Sequence, residues 1–268
     1  MKYQPYRDEP FQRNCEDRYE LIKSMASRFK RQFSVLDIGA NHGWFGQRLV
    51  RDFDCVYFAI DNKVIDPHPR IWHIKRHLSA QKLLDLSRCE SFDMVLCLSV
   101  LHHFEDYTMA FQAAKRLGWL SVYEIPGKDD SGALAPERHE GIQSLFTEGA
   151  ELGWFDSHVS NTKRPFYCFK MQPFLTEQTL DAALRGACGY CSYKLYCDHE
   201  HSVIEIDRKP IVKENEVREF IPGMNAYNFQ LLGGEVEIPK DDGLPDYQPW
   251  NFIIGDGIHR IDTFHVKP

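Results

Sequence analysis

Five short apolar runs punctuate the first half of the chain, at 34–38, 55–60, 70–74, 92–100 and 120–125, each ending in polar or turn-forming residues. Runs of this length without apolar/polar alternation are what strands buried on both faces of a parallel sheet look like. Between them the apolar spacing becomes helical. Tyr19, Ile22, Met25, Ala26 and Phe29 predict a first helix, Gln47, Leu49 and Val50 a second, 80–86 a third and 106–116 a fourth. Strands alternating with helices predict an α/β fold with a doubly wound, mostly parallel sheet and a ligand crevice at its carboxyl ends.

The residues that close the first run carry the most information. After 34–38 the chain reads Asp37-Ile-Gly39-Ala-Asn41-His-Gly43, a glycine turn opening a helix, where backbone without Cβ atoms lets a ligand approach closely. Such a turn alone is a weak signal, because glycines also serve packing. Asp61 strengthens it, closing the second run roughly 20 residues later, where an acidic side chain can accept from ribose hydroxyls. The fourth run closes in Leu101-His102-His103-Phe104-Glu105-Asp106.

Taken together, Asp37 to Gly43, Asp61 and the segment Phe92 to His103 resemble three motifs of class I S-adenosylmethionine-dependent methyltransferases, over residues 17–207. Nicotinamide enzymes share the first two features but not the run into Leu-His-His. The resemblance implies a seven-stranded Rossmann-like sheet and S-adenosyl-L-methionine as cofactor. It implies a cofactor site of Asp37, Gly39, Asn41, Gly43, Asp61, Leu98 and Ser99, with the backbone at Gly39 and Gly43 facing the amino-acid part and Asp61 the ribose. One position departs from the family pattern. Asn41 stands where the middle glycine is usual, so either its backbone is left-handed, which Asn tolerates, or its amide lies near the cofactor.

Methyl transfer is an in-line displacement, so the protein must position the acceptor and, for a hydroxyl, remove its proton. His102 and His103 are the leading candidates for that base, with Glu124 at the end of the fifth run and Arg138 or His139 beyond it as further candidates. The Asn/Asp-Pro-Pro-Tyr of amino-methylating relatives is absent after the fourth run. The expected acceptor is therefore a hydroxyl of a small molecule, sugar or glycan terminus. Two rivals stand beside this reading: an RNA methyltransferase and a non-catalytic cofactor-fold interaction protein.

Composition modifies this picture only in part. The 268 residues are 43% apolar and 26% charged, ordinary for a globular protein. A net charge of -7 argues against a broad nucleic-acid surface, although Arg70, His73, Lys75, Arg76 and His77 form one basic cluster. No apolar run approaches a membrane span and the first residues lack the apolar core of a signal peptide, so a cytoplasmic protein is expected. Cys188, Cys191, Cys197, His199 and His201 have some of the spacing of a zinc site, but a packed hairpin is the preferred reading and no metal is expected.

Beyond the fifth run the pattern loosens. Residues 126–173 read as an insertion forming a substrate lid, with a helix at 142–152 and strand-like pieces at 154–159 and 165–169. A helix at 176–185 and a hairpin at 190–207 are expected to complete the methyltransferase domain, 1–207. The remainder, 208–268, is rich in Pro, Gly, Asn and Asp and reads as an irregular extension packed on the core. Within it Asp246 to Asn251 followed by Asp262 resembles the catalytic loop of small-molecule kinases, and methyltransferase-kinases of polysaccharide chain termination pair these activities. No glycine-rich phosphate loop or strand lysine accompanies it, so an active kinase is not expected.

Overall fold

The computed structural model describes residues 15–30, 32–63, 65–88, 90–130, 135–157, 162–170, 211–213, 216–218, 223–239, 249 and 252–260. Five strands form in the predicted places: β1 (Phe33–Ile38), β2 (Cys55–Ile60), β3 (Ile71–Ile74), β4 (Phe92–Leu98) and β5 (Gly118–Glu124). They pair in parallel in the order β3-β2-β1-β4-β5. Every residue of β1, β2, β4 and β5 is buried, as strands covered on both faces must be.

The covering helices divide between the two faces. α1 (Glu16–Ala26) and α2 (Trp44–Asp52) pack with Val35, Tyr57, Ala59, Met94 and Leu96 on one face. α3 (Ala80–Leu86), α4 (Tyr107–Leu117) and α5 (His139–Ser144) pack with Leu36, Phe58, Val95 and Tyr123 on the other. Adjacent strand residues thus feed opposite cores, the period of two that a pleated strand imposes. The chain order reverses direction between β1 and β4, which places the ligand crevice beyond their carboxyl ends.

Among the described residues the sheet has seven strands, and its last two correct the reading of 126–173 as a single insertion. β6 (Ala150–Asp156) and β7 (Lys163–Lys170) extend it in the order β5-β7-β6 through antiparallel ladders. The helix expected over 142–152 is divided: α5 ends at Ser144, and Ala150 already begins a strand. Buried Phe166 and Phe169 tie β7 to both cores, so among the described residues it is chiefly 126–130 and 135–149 that stand outside the sheet. The expected helix at 176–185 and hairpin at 190–207 lie outside the described residues.

Further along, β8 (Ile211–Lys213) and β9 (Glu216–Arg218) form a two-stranded antiparallel ribbon. β10 (Met224–Asn225), β11 (Phe252–Ile254) and β12 (Ile258–Arg260) form a three-stranded antiparallel sheet, with α6 (Ala226–Leu231) after β10. Met224, Phe229, Phe252 and Ile254 join the apolar cluster of Phe58 and Ile74. Polar contacts seal this junction. Glu90 accepts from the Asn225 N–H at 2.8 Å and the Asn228 amide at 2.9 Å, and Trp72 Nε1 donates to the Gly255 carbonyl at 2.7 Å.

Candidate active site

The turn after β1 is built from left-handed backbone. Gly39, Asn41 and Gly43 have φ of 79°, 52° and 72°, so Asn41 takes the left-handed alternative offered by the sequence. At Gly39 a Cβ would stand 2.7 Å from Val100 Cγ2, which excludes a side chain sterically as well as conformationally. The amides of Gly39 and Ala40 donate to the Ile60 carbonyl at 2.9 and 3.2 Å, fastening the turn to the end of β2.

Asp61 reinforces the same attachment. Its carboxylate accepts from the Asn41 N–H at 2.7 Å and from the Lys63 N–H at 2.9 Å, while its carbonyl meets His73 Nε2 at 3.0 Å. Each carboxylate oxygen retains capacity for another donor. Asp37 lies deeper, buried at the end of β1, and accepts from the Tyr57 hydroxyl. Desolvation pushes its carboxyl up to about 7; the Tyr57 hydrogen bond opposes the shift and the Asp61 charge adds to it.

On the other side of the crevice, Leu98 ends β4 and Ser99 follows in a left-handed conformation, φ 56°. The Ser99 N–H donates to the Glu124 carbonyl at 2.8 Å, and its hydroxyl accepts from Arg164 Nη1 at 2.9 Å. Arg164 is buried at the start of β7 and its Nε donates to Asp130 at 2.5 Å. A second buried ion pair lies nearby. Arg18 of α1 donates to Glu124 Oε1 at 2.6 Å and to the Asp156 carbonyl at 2.8 Å, so a guanidinium occupies one oxygen of the buried Glu124 carboxylate.

The two histidines differ sharply. His102 is buried at 4% exposure, whereas His103 next to it is exposed and their ring centroids lie 4.3 Å apart. Enough protein surrounds the His103 ring that desolvation, with His77 and Arg164, holds its pKa below the ordinary value against the pull of Asp61. Its imidazole is therefore neutral at pH 7 and able to accept a proton.

A family model described as a methyltransferase domain matches residues 6–155, more than half of the chain and all of β1 to β5. The chain belongs to the methyltransferase domain family. Its cofactor is S-adenosylmethionine, and the turn fits such a molecule: a cradle closed to Cβ atoms, an acidic rim at Asp61, and a buried Asn41 Oδ1 with no hydrogen-bond partner among the described residues. Among solved structures the chain is similar to WbdD, at 18% identity over 93% of this chain and 75% of that one, TM-score 0.45. It is also similar to the N-terminal domain of EvdMO1 with SAH and D-fucose, at 14% identity over 58% and 83% of the two chains, TM-score 0.40. The Burkholderia thailandensis 1,6-didemethyltoxoflavin-N1-methyltransferase aligns at 15% identity over 56% and 76%, TM-score 0.39. Among curated proteins, glutamate–tRNA ligase 1 of Thermoanaerobacter sp. (strain X514) is 28% identical over 158 residues, 55% of this chain. The chain spans only 31% of that ligase's length.

Tyr57, Arg18, Asp130 and Arg164 were not legible as site residues, since each meets its partner only through tertiary pairing. The basic cluster is absorbed by the fold only in part, since Lys75, Arg76 and His77 are exposed. Arg70 donates to the Phe53 carbonyl at 3.1 Å, pairs with Asp54 at 3.2 Å and caps the Val50 carbonyl, and Arg76 reaches the Leu232 carbonyl at 3.5 Å. Among the described residues no group of three or more His, Cys, Asp or Glu side chains could hold a metal, and no helix is long and apolar enough to cross a membrane. Cys188, Cys191, Cys197, His199 and His201, and the kinase-like Asp246, Asn251 and Asp262, lie outside the described residues.

Proposed function

We propose that this chain methylates a hydroxyl of a small molecule, sugar or glycan terminus, with His103 as the base. The observation that carries this reading is the position of His103, exposed at the carboxyl edge of the sheet and within electrostatic reach of Asp61 on the cofactor side. When bound, S-adenosylmethionine supplies a methyl group on a sulfonium, a leaving group that needs no protonation.

The protein's part is placement and proton removal. Gly39 and Gly43 leave backbone open to the cofactor's amino-acid portion, and Asp61 is placed to accept from ribose hydroxyls. Asp37 supports the turn from below, with Leu98 and Ser99 lining the opposite wall. His103 Nε2 or Nδ1 takes the acceptor's hydroxyl proton and releases it to water after transfer. His102, buried beside it, acts as support.

Calorimetry with S-adenosylhomocysteine tests the cofactor half: wild type is expected to bind, and Gly39→Ala to lose binding through the clash with Val100. Methyl transfer to a panel of hydroxyl and amine acceptors tests the other half. His103→Gln is expected to bind S-adenosylhomocysteine normally while losing about 100-fold in rate. Its loss should also remove a rate inflection that wild type shows below pH 6.5, on the acidic side of ordinary imidazole. Transfer to amines alone, or an unaltered rate in His103→Gln, would overturn the assignment.

A further inference from the structure

His102 and His103 sit in a 3-10 turn, Leu101–His103, too short to satisfy the carbonyls at its own C-terminal end. Their partner comes from beyond β5. Arg138 Nη1 donates to the His102 carbonyl at 3.3 Å and to the Phe104 carbonyl at 2.8 Å, the two carbonyls that flank His103. The segment carrying Arg138 is fastened to the same region at three further points. His139 stands edge-on to His102 with ring centroids 6.3 Å apart, Gln143 donates to the Pro126 carbonyl at 3.0 Å, and Gly141 lies against the Tyr107 hydroxyl with no room for a Cβ.

We propose that Arg138 is a positioning residue, whose clasp on the carbonyls of His102 and Phe104 holds the His103 imidazole at the cofactor end of the crevice. A guanidinium suits this task because it is always charged and the two N–H bonds of its Nη1 are held in one plane, here one toward each carbonyl. The purpose of the clasp rests on the reading of His103 as base; its geometry does not. The charged and titratable groups around His103 are Asp61, His77 and Arg164, with His102 against its ring and His139 behind that. Released from the clasp, the turn would let the ring swing toward water, away from these groups.

Histidine NMR on the full chain tests this, with His103→Gln identifying the resonance. In Arg138→Met the His103 titration is expected to move up toward the ordinary imidazole value, with S-adenosylhomocysteine affinity unchanged by calorimetry. Arg138→Lys should shift it partway, since its ammonium ends a shorter, freely rotating stem that reaches both carbonyls less often. A wild-type titration in folded Arg138→Met overturns the proposal, as does loss of S-adenosylhomocysteine binding with the titration intact. If Arg138→Met does not fold, Arg138→Lys decides alone: a wild-type titration there overturns the clasp. The base assignment fails separately, when His103→Gln leaves methyl transfer unaltered, and that result leaves the NMR outcome standing.

Discussion

Asp37 ties the cofactor turn to the pH dependence of the whole fold. Its carboxyl titrates at about 7 in the folded protein, mainly because it is desolvated, whereas in an unfolded chain it titrates near ~4. Between these values the folded state holds a proton that the unfolded state has lost. The contribution is therefore fully present below about pH 4 and is lost as pH rises through about 7, on the order of 4 kcal/mol in all. Asp37→Asn keeps the shape and has no charge to desolvate. Urea denaturation at about pH 5 and about pH 8 should show the variant gaining on wild type as pH rises; equal differences at both would mean Asp37 titrates normally. The sequence exposed Asp37, Gly39, Asn41 and Asp61 as candidates, because turn chemistry and strand ends are local. It concealed the tertiary pairings around them: Tyr57 lies 20 residues from Asp37, Ser99 65 from Arg164, and Arg18 106 from Glu124.

At the scale of elements, central parallel strands are the easiest to read, since burial on both faces leaves a bare apolar run. The pair β6 and β7 was harder. Its exposed residues mix charge with aromatics, and whether such a piece joins the sheet depends on a ladder to β5 that no local pattern encodes. The C-terminal elements are short, and their burial depends on the core. Phe229 of α6 is 1% exposed, with its ring 6.3 Å from Phe58 and 5.9 Å from Trp72. Phe229→Ala should therefore cost about 3–5 kcal/mol, the range for a buried Phe truncation, read as a lower urea midpoint for the whole protein. A loss below about 0.5 kcal/mol, the surface range, would show that these elements contribute little to the core.

Across the whole molecule, the described residues of the candidate site come from distant parts of the chain. α1 sends Arg18, the ends of β1, β2, β4 and β5 supply Asp37, Asp61, Ser99 and Glu124, and β7, running the other way, brings Arg164 at its beginning. Among the described residues the sheet that gathers them has two outer strands. β3 is overlaid at Trp72 by the Gly255 carbonyl, whereas every residue of β6 is exposed or half-buried. β6 is also irregular: its pairing with β7 shifts between Glu151 and Gly153, leaving Leu152 as an extra residue, and Gly153 has φ 139°. A bent border strand flanked by Glu151 and Asp156 is a poor template for a neighbouring chain. Deleting Leu152 would straighten it. Light scattering on that variant should then show turbidity that grows with concentration while wild type stays clear, so the same irregularity that interrupts the ladder protects the protein from aggregation.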